Sequence, residues 1–144
     1  MKLEGRRVVI TGGSKGLGRA LAARFSAEGA RLALCARSFD ELNRVALDLS
    51  LTGFPCIVGV CDIADVDQVG HFANLVLAEF GAVDVLINNA SLLGPRVDIL
   101  DWTKPTWDRV IDVNVNGLFA VTKAFLPSMV RQGAGSIINV SSSV

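Results

Sequence analysis

The sequence predicts an α/β fold, a doubly wound parallel sheet of about five strands with helices on both faces, and three observations carry that prediction. Apolar runs of strand length alternate with stretches of helical periodicity along the whole chain. A glycine-rich turn, Thr11-Gly12-Gly13-Ser14-Lys15-Gly16-Leu17-Gly18, joins the first apolar run to the first amphipathic stretch. Polar residues gather where the apolar runs end: Gly12 to Ser14, Arg37, Asp62, Asn88, and Ser141 to Ser143. In a sheet of this kind a ligand lies at the carboxyl ends of the strands, near the point where strand order reverses.

The elements follow in order. Val8, Val9 and Ile10 are β-branched and suit a buried parallel strand. Leu17, Leu21 and Phe25, with Ala20 between them, share one face at helical spacing, and Gly29 supplies the stop. Strand, glycine loop and helix open a mononucleotide-binding unit. Its glycines let the backbone turn sharply and approach a pyrophosphate, while unpaired N–H groups at the helix start carry partial positive charge. A dinucleotide is the natural occupant, although Gly12, Gly16 and Gly18 give T-G-x-x-x-G-x-G rather than G-x-G-x-x-G. Ala30 to Ala36 is the second strand, and Ser38 with Glu41 forms a capping box for a helix whose core face is Leu42, Val45, Ala46 and Leu49.

Phe54 to Cys61 is the third strand, and Asp65 with Gln68 caps the next helix, with Val66, Val69, Ala73, Val76, Leu77 and Phe80 as its stripe and Gly81 as its end. Val83 to Ile87 is the fourth strand and runs into Asn88-Asn89-Ala90-Ser91. Leu92 to Asp101 is the longest loop and flanks the expected cleft. Thr103 caps a helical region that tolerates Pro105 in its first turn and runs to about Gln132. Ser136 to Val140 is the fifth strand.

Composition narrows the functional classes. Lys plus Arg equals Asp plus Glu at 14 each, so no basic surplus calls for nucleic acid or an anionic membrane. A small-molecule partner fits better. No apolar run approaches the roughly 18 residues a membrane span needs, and no signal-like segment precedes the first strand, so cytoplasmic residence is the default expectation. Cys35, Cys56 and Cys61 lack C-x-x-C spacing and sit in strand-like surroundings, which reads as reduced, buried thiols. His71 is the single histidine, so neither a metal set nor a Ser-His-Asp triad can be assembled around it.

The residues ending the second strand bear on which nucleotide is bound. An acidic residue there would bind the adenosine ribose hydroxyls, and a basic one would accommodate a 2′-phosphate. Ala36 occupies the expected carboxylate position and Arg37 follows it. Arg37 can fork onto a phosphate and Lys15 can add a second cation, so NADP(H) is favoured over NAD(H); the alternative is that both are solvated loop cations. Asp62 can start a helix or accept a hydrogen bond from an adenine amino group, and both roles stand.

Taken together, these motifs resemble the short-chain dehydrogenase/reductase family in content and order from Met1 to Val144. The resemblance implies a Rossmann-like domain in which Gly12, Ser14, Lys15, Gly16, Leu17 and Gly18 hold the pyrophosphate. It implies that Asp62 and the backbone of Ile63 contact adenine. Asn88 and Ala90, within Asn88-Asn89-Ala90, resemble the element that steadies the central sheet and lines the nicotinamide ribose, with Ser91 where the family has glycine. Asn114, in Asn114-Val115-Asn116-Gly117, resembles the asparagine that bends its helix and orders a proton-relay water. On the residues alone, Trp107, Val110, Ile111, Leu118, Phe125 and Met129 put Asn114 on a buried stripe, where an amide either serves chemistry or satisfies backbone groups. The family's catalytic serine matches Ser142, with Ser141 and Ser143 as close alternatives. A homo-oligomer, dimer or tetramer, is implied as well.

The family's proton donor is a tyrosine in a Y-x-x-x-K pair, and this sequence contains no tyrosine. The expectation is therefore a single dinucleotide-binding domain, residues 1–144, that lacks the family's C-terminal strands and its Tyr/Lys pair. Two functions remain open at this point: an NADP(H)-dependent oxidoreductase acting on a carbonyl or alcohol substrate, or a nucleotide-binding or interaction module without turnover.

Overall fold

The computed structural model describes residues 2–51, 53 and 55–142. Five parallel strands form one sheet in the order β3-β2-β1-β4-β5, with β1 Arg7–Thr11, β2 Arg31–Ala36, β3 Ile57–Val60, β4 Val85–Asn88 and β5 Ser136–Asn139. The order runs outward in both directions from β1, so a crevice opens where β1 and β4 part, above Thr11 and Asn88. Val8 to Ile10 are fully buried, as β-branched residues covered on both faces of a central strand should be.

Helices α1 (Gly16–Ala27) and α2 (Phe39–Ser50) cover one face. Their Ala22, Leu42, Val45 and Leu49 pack with Val8, Ile10, Leu32 and Leu34. Helices α3 (Val66–Phe80) and α5 (Leu118–Gln132) cover the other, where Val69, Phe72, Val76, Val121 and Phe125 pack with Val9, Ala33 and Leu86. Alternate residues of β1 thus feed two separate cores, the consequence of period-2 side-chain alternation in a two-faced sheet.

The fold departs from the sequence expectation in several elements. Helix α1 buries Gly18, Ala22 and Ser26 rather than Leu17, Leu21 and Phe25, and Leu17 is 53% exposed. Small residues face the sheet because the helix starts hard against the glycine loop: a Cβ on Gly18 would overlap the Gly12 carbonyl oxygen. The third strand is shorter than Phe54 to Cys61, and Phe54 lies outside the described residues. On α3, Phe72 replaces Val66 in the stripe, since Val66 falls at the exposed first position of the helix.

The helical region after Thr103 is not uniform. It comprises α4 (Lys104–Ile111), a π-helical turn (Asp112–Gly117) and α5 in unbroken succession. A π turn adds about one residue per turn and rotates the stripe that follows it. Trp107, which precedes that turn, is 47% exposed, while Val113 within it and Val121, Phe125 and Met129 beyond it are buried. A short 3₁₀ turn, Ile99–Asp101, interrupts the long loop before α4.

Candidate nucleotide-binding site

The carboxyl ends of the strands surround a cavity of about 1030 Å³. Its wall is built first from the turn after β1. Thr11 is buried, and its hydroxyl accepts hydrogen bonds from the Asn89 and Ala90 backbone N–H groups, both at 3.0 Å. The Asn89 amide returns the contact by donating to the Thr11 and Gly12 carbonyls at 3.0 and 3.2 Å. Gly12, at φ +67°, sits so close that a Cβ there would lie 2.9 Å from Ala90 Cα. These bonds lock the glycine loop to the end of β4 and define the floor between them.

Helix α1 begins at that floor with its first turn uncapped. Ser38, Asp65 and Thr103 each accept a backbone N–H at the starts of α2, α3 and α4, but Lys15, at the N-cap of α1, makes no side-chain cap. The leading N–H groups of α1 are left to an external acceptor. This uncapped turn and the glycine cradle fit a pyrophosphate. Lys15 and Arg37 are exposed at the cavity wall, and among the described residues neither side chain makes a hydrogen bond or ion pair.

The capping boxes form only in half. Ser38 Oγ accepts from the Glu41 N–H at 3.3 Å, yet the Glu41 carboxylate reaches across to the glycine loop and accepts from Ser14 Oγ at 3.0 Å. Gln68 likewise bonds Asp65 Oδ2 and uses its Oε1 to accept from the Asp62 N–H. Asp62 Oδ1 takes the Ala64 N–H, which gives the carboxylate its turn-forming role, while Arg109 from α4 donates to Oδ2 at 2.5 Å. Burial pushes the Asp62 pKa upward, but the Arg109 guanidinium, the Ala64 N–H and the charge of Arg37 outweigh it and hold the carboxyl below its ordinary range. The group is therefore held as an anion in the cavity wall.

At the other end, Asn114 in the π turn spends its amide on the loop backbone: Oδ1 accepts from Leu92 N at 2.8 Å and Nδ2 donates to Leu92 O at 2.9 Å. Asn88 Nδ2 donates to Asn139 Oδ1 and Thr122 Oγ1, and its buried Oδ1 has no partner among the described residues. Ser141 and Ser142 follow β5 into the cavity wall; Ser143 lies outside the described residues.

The family model described as short chain dehydrogenase matches residues 6–144. The chain belongs to the short-chain dehydrogenase family. This is a family of oxidoreductases that bind nicotinamide dinucleotides, and the open α1 terminus is the feature of this short-chain dehydrogenase suited to such a ligand. The short chain dehydrogenase/reductase dpmpG of Macrophomina phaseolina is 38% identical over 143 residues, covering 97% of this chain and 82% of that one. A metagenomic short-chain oxidoreductase in complex with NADP superposes with a TM-score of 0.95 at 34% identity, covering 100% of this chain and 65% of that one. An NAD⁺-bound xylitol dehydrogenase superposes equally well, at 30% identity over 99% of this chain and 55% of its own. Against several other curated relatives the chain spans only 43% to 58% of their length.

In this short-chain dehydrogenase the cavity wall brings together Gly12, Ser14, Lys15, Leu17, Arg37, Asp62, Ile63, Asn88, Ala90, Asn114 and Ser142. Gly16 and Gly18 are not part of the lining: exposed Gly16 turns the loop at φ +53°, and Gly18 packs against the Gly12 carbonyl. Glu41, Arg109 and the Thr11–Asn89 lock were not legible as site features. Glu41 is visible in the sequence as a helix cap, but its direction is a tertiary choice, and Arg109 reaches Asp62 across 47 residues with no local signal.

Proposed function

We propose that the protein is an NADP(H)-dependent oxidoreductase that moves hydride to or from a small carbonyl or alcohol substrate, with residues 1–144 forming a single cofactor-binding domain that a further C-terminal portion completes. The observation that carries this reading is the cavity wall beside the uncapped start of α1: two exposed cations, Lys15 and Arg37, with no hydrogen bond or ion pair among the described residues, and no carboxylate at Ala36. Arg37 offers a planar fork for a 2′-phosphate and Lys15 a second point charge. Asp62 accepts from the adenine amino group and the Ile63 backbone lies alongside. Asn88 and Ala90 line the nicotinamide ribose.

When bound, the nicotinamide supplies or accepts the hydride. Ser142 orients the substrate oxygen by hydrogen bonding. Asn114 holds the Leu92 loop through its side chain and contributes the bend that organises a proton-relay water. Proton exchange with the substrate requires an acid of suitable pKa, and the chain, which contains no tyrosine, does not supply the one its family uses. The 144 residues alone therefore show little or no turnover, and substantial reduction of a simple ketone by them would overturn that statement. We place the protein in the cytoplasm as a homo-oligomer, readings supported by the free thiols of Cys35, Cys56 and Cys61 and by exposed Phe119 and Val130 on α5. No helix of the described residues is long and apolar enough to cross a membrane.

Calorimetric titration with NADPH and NADH, on wild type and Arg37→Ala, tests the cofactor reading. The expected outcome is tighter binding of NADPH and its selective loss, roughly tenfold or more, in Arg37→Ala, the scale of one charge-assisted contact. Equal binding of both nucleotides, unchanged by the substitution, would return Arg37 to the status of a solvated loop cation.

A further inference from the structure

The Glu41 carboxylate stands in the same cavity wall as Lys15, Arg37 and Ser38. Its position is unusual for what the local sequence asks of it. An acidic residue three positions after a serine N-cap ordinarily folds back onto the cap's own N–H and faces only its own helix. Here the Ser38 half of that exchange forms, at 3.3 Å, and the reciprocal half does not. Glu41 instead bridges α2 to the glycine loop through Ser14 Oγ, at 3.0 Å, and Ser14 is itself almost fully buried. The loop around this contact is tied to the second strand, because Gly13 N–H donates to the Cys35 carbonyl at 3.1 Å. The half-buried carboxylate is therefore tethered between the loop assigned to the pyrophosphate and the residues assigned to a 2′-phosphate.

We propose that Glu41 is a specificity-determining residue that narrows the site's preference for NADP(H) over NAD(H). The inference rests on the NADP(H) reading above. A fixed anion at that end of the cavity opposes the attraction of Lys15 and Arg37 for a dianionic 2′-phosphate. The same carboxylate is an acceptor for the 2′-hydroxyl that replaces the phosphate in NAD(H), the task an acidic residue at the end of the second strand performs in other dinucleotide folds and that Ala36 cannot perform. Both effects act in one direction on the ratio of the two affinities.

The test measures dissociation constants of 2′,5′-ADP and 5′-AMP, which report the adenosine end alone, together with NADPH and NADH, on the full-length protein and its Glu41→Gln, Glu41→Ala and Arg37→Ala variants. Glu41→Gln is expected to raise the preference for the 2′-phosphorylated member of each pair by roughly five- to tenfold, the effect of removing one nearby like charge. Glu41→Ala removes the same charge with a different side chain and is expected to shift the preference in the same direction. An unchanged or reduced preference in the variants, or loss of all nucleotide binding in both of them, would overturn the proposal and leave Glu41 a structural tether of the glycine loop. The underlying reading fails separately. If Arg37→Ala leaves the 2′-phosphate preference of the wild type intact, the NADP(H) assignment falls; if Arg37→Ala abolishes it while Glu41→Gln does not move it, only the role of Glu41 falls.

Discussion

Arg7 and Asp84 show how much one residue pair can organise far from the cavity. Arg7 donates from Nε and Nη2 to the two Asp84 oxygens, each at 2.9 Å, and its remaining donors reach the Phe80 carbonyl and Gln132 Oε1. The guanidinium so close by holds the Asp84 pKa down to about 2, against the opposing effect of burial. A carboxyl whose pKa is lowered by folding stabilises the native state above its ordinary pKa and loses that contribution as pH falls through the lowered value. The pair should therefore contribute about 2 kcal/mol at neutral pH, with the loss falling between roughly pH 4 and pH 2. Urea unfolding as a function of pH checks this: the midpoint of the wild type should drop across that window, and Asp84→Asn should be less stable at pH 7 and flatter below pH 4. Arg7 and Asp84 give no local signal in the sequence, since 77 positions separate them. Asp62 is the opposite case, a residue whose polarity at a strand end marks it as a site candidate, though the Arg109 that restrains it does not stand out.

At the scale of elements, the glycine loop with α1 and the π turn between α4 and α5 are the two devices that shape the cavity. The first was legible because Gly12, Gly16 and Gly18 are unusual residues at fixed spacing. Its packing face was not, because a hydrophobic pattern cannot say that a helix approaches so closely that only small side chains fit. Gly18→Ala should cost about 1–3 kcal/mol, read from the shift in denaturant midpoint, since its Cβ would fall 2.6 Å from Asn89 Nδ2 and against the Gly12 carbonyl. The π turn was invisible to a pattern read at 3.6 residues per turn. It packs closely against Ile63 as well, where a Cβ on Gly117 would lie 2.9 Å from the Ile63 carbonyl. Asn114→Ala should leave the Leu92 N–H and C=O unpaired, costing about 1–3 kcal/mol. Hydrogen exchange provides the local reading, with faster exchange at Leu92 expected in the variant and the amides of β1 and β4 unchanged.

At the scale of the molecule, the sheet is well covered on β1 and β2 and open at β5. All four residues of β5 are exposed, Ile137 and Ile138 among them, and Phe119, Leu126 and Val130 on the neighbouring helix are exposed too. An open parallel edge beside an apolar helix face is a template for association. The 144-residue chain should self-associate with rising concentration in sedimentation velocity, and Ile138→Lys should reduce that tendency by placing a charge on the edge strand.

The residue pattern alone was sufficient for the α/β class, the number of strands, their parallel sense and the end of the sheet at which the cavity opens. Those features follow from local periodicity, glycine spacing and the chirality of β-α-β connections, all of which act over short stretches of chain. The direction of the Glu41 carboxylate, the Arg109 grip on Asp62, the small-residue face of α1 and the π turn at Asn114 depended on the assembled fold. Each arises from surfaces that meet only after distant segments pack, where steric fit and hydrogen-bond satisfaction override local preference.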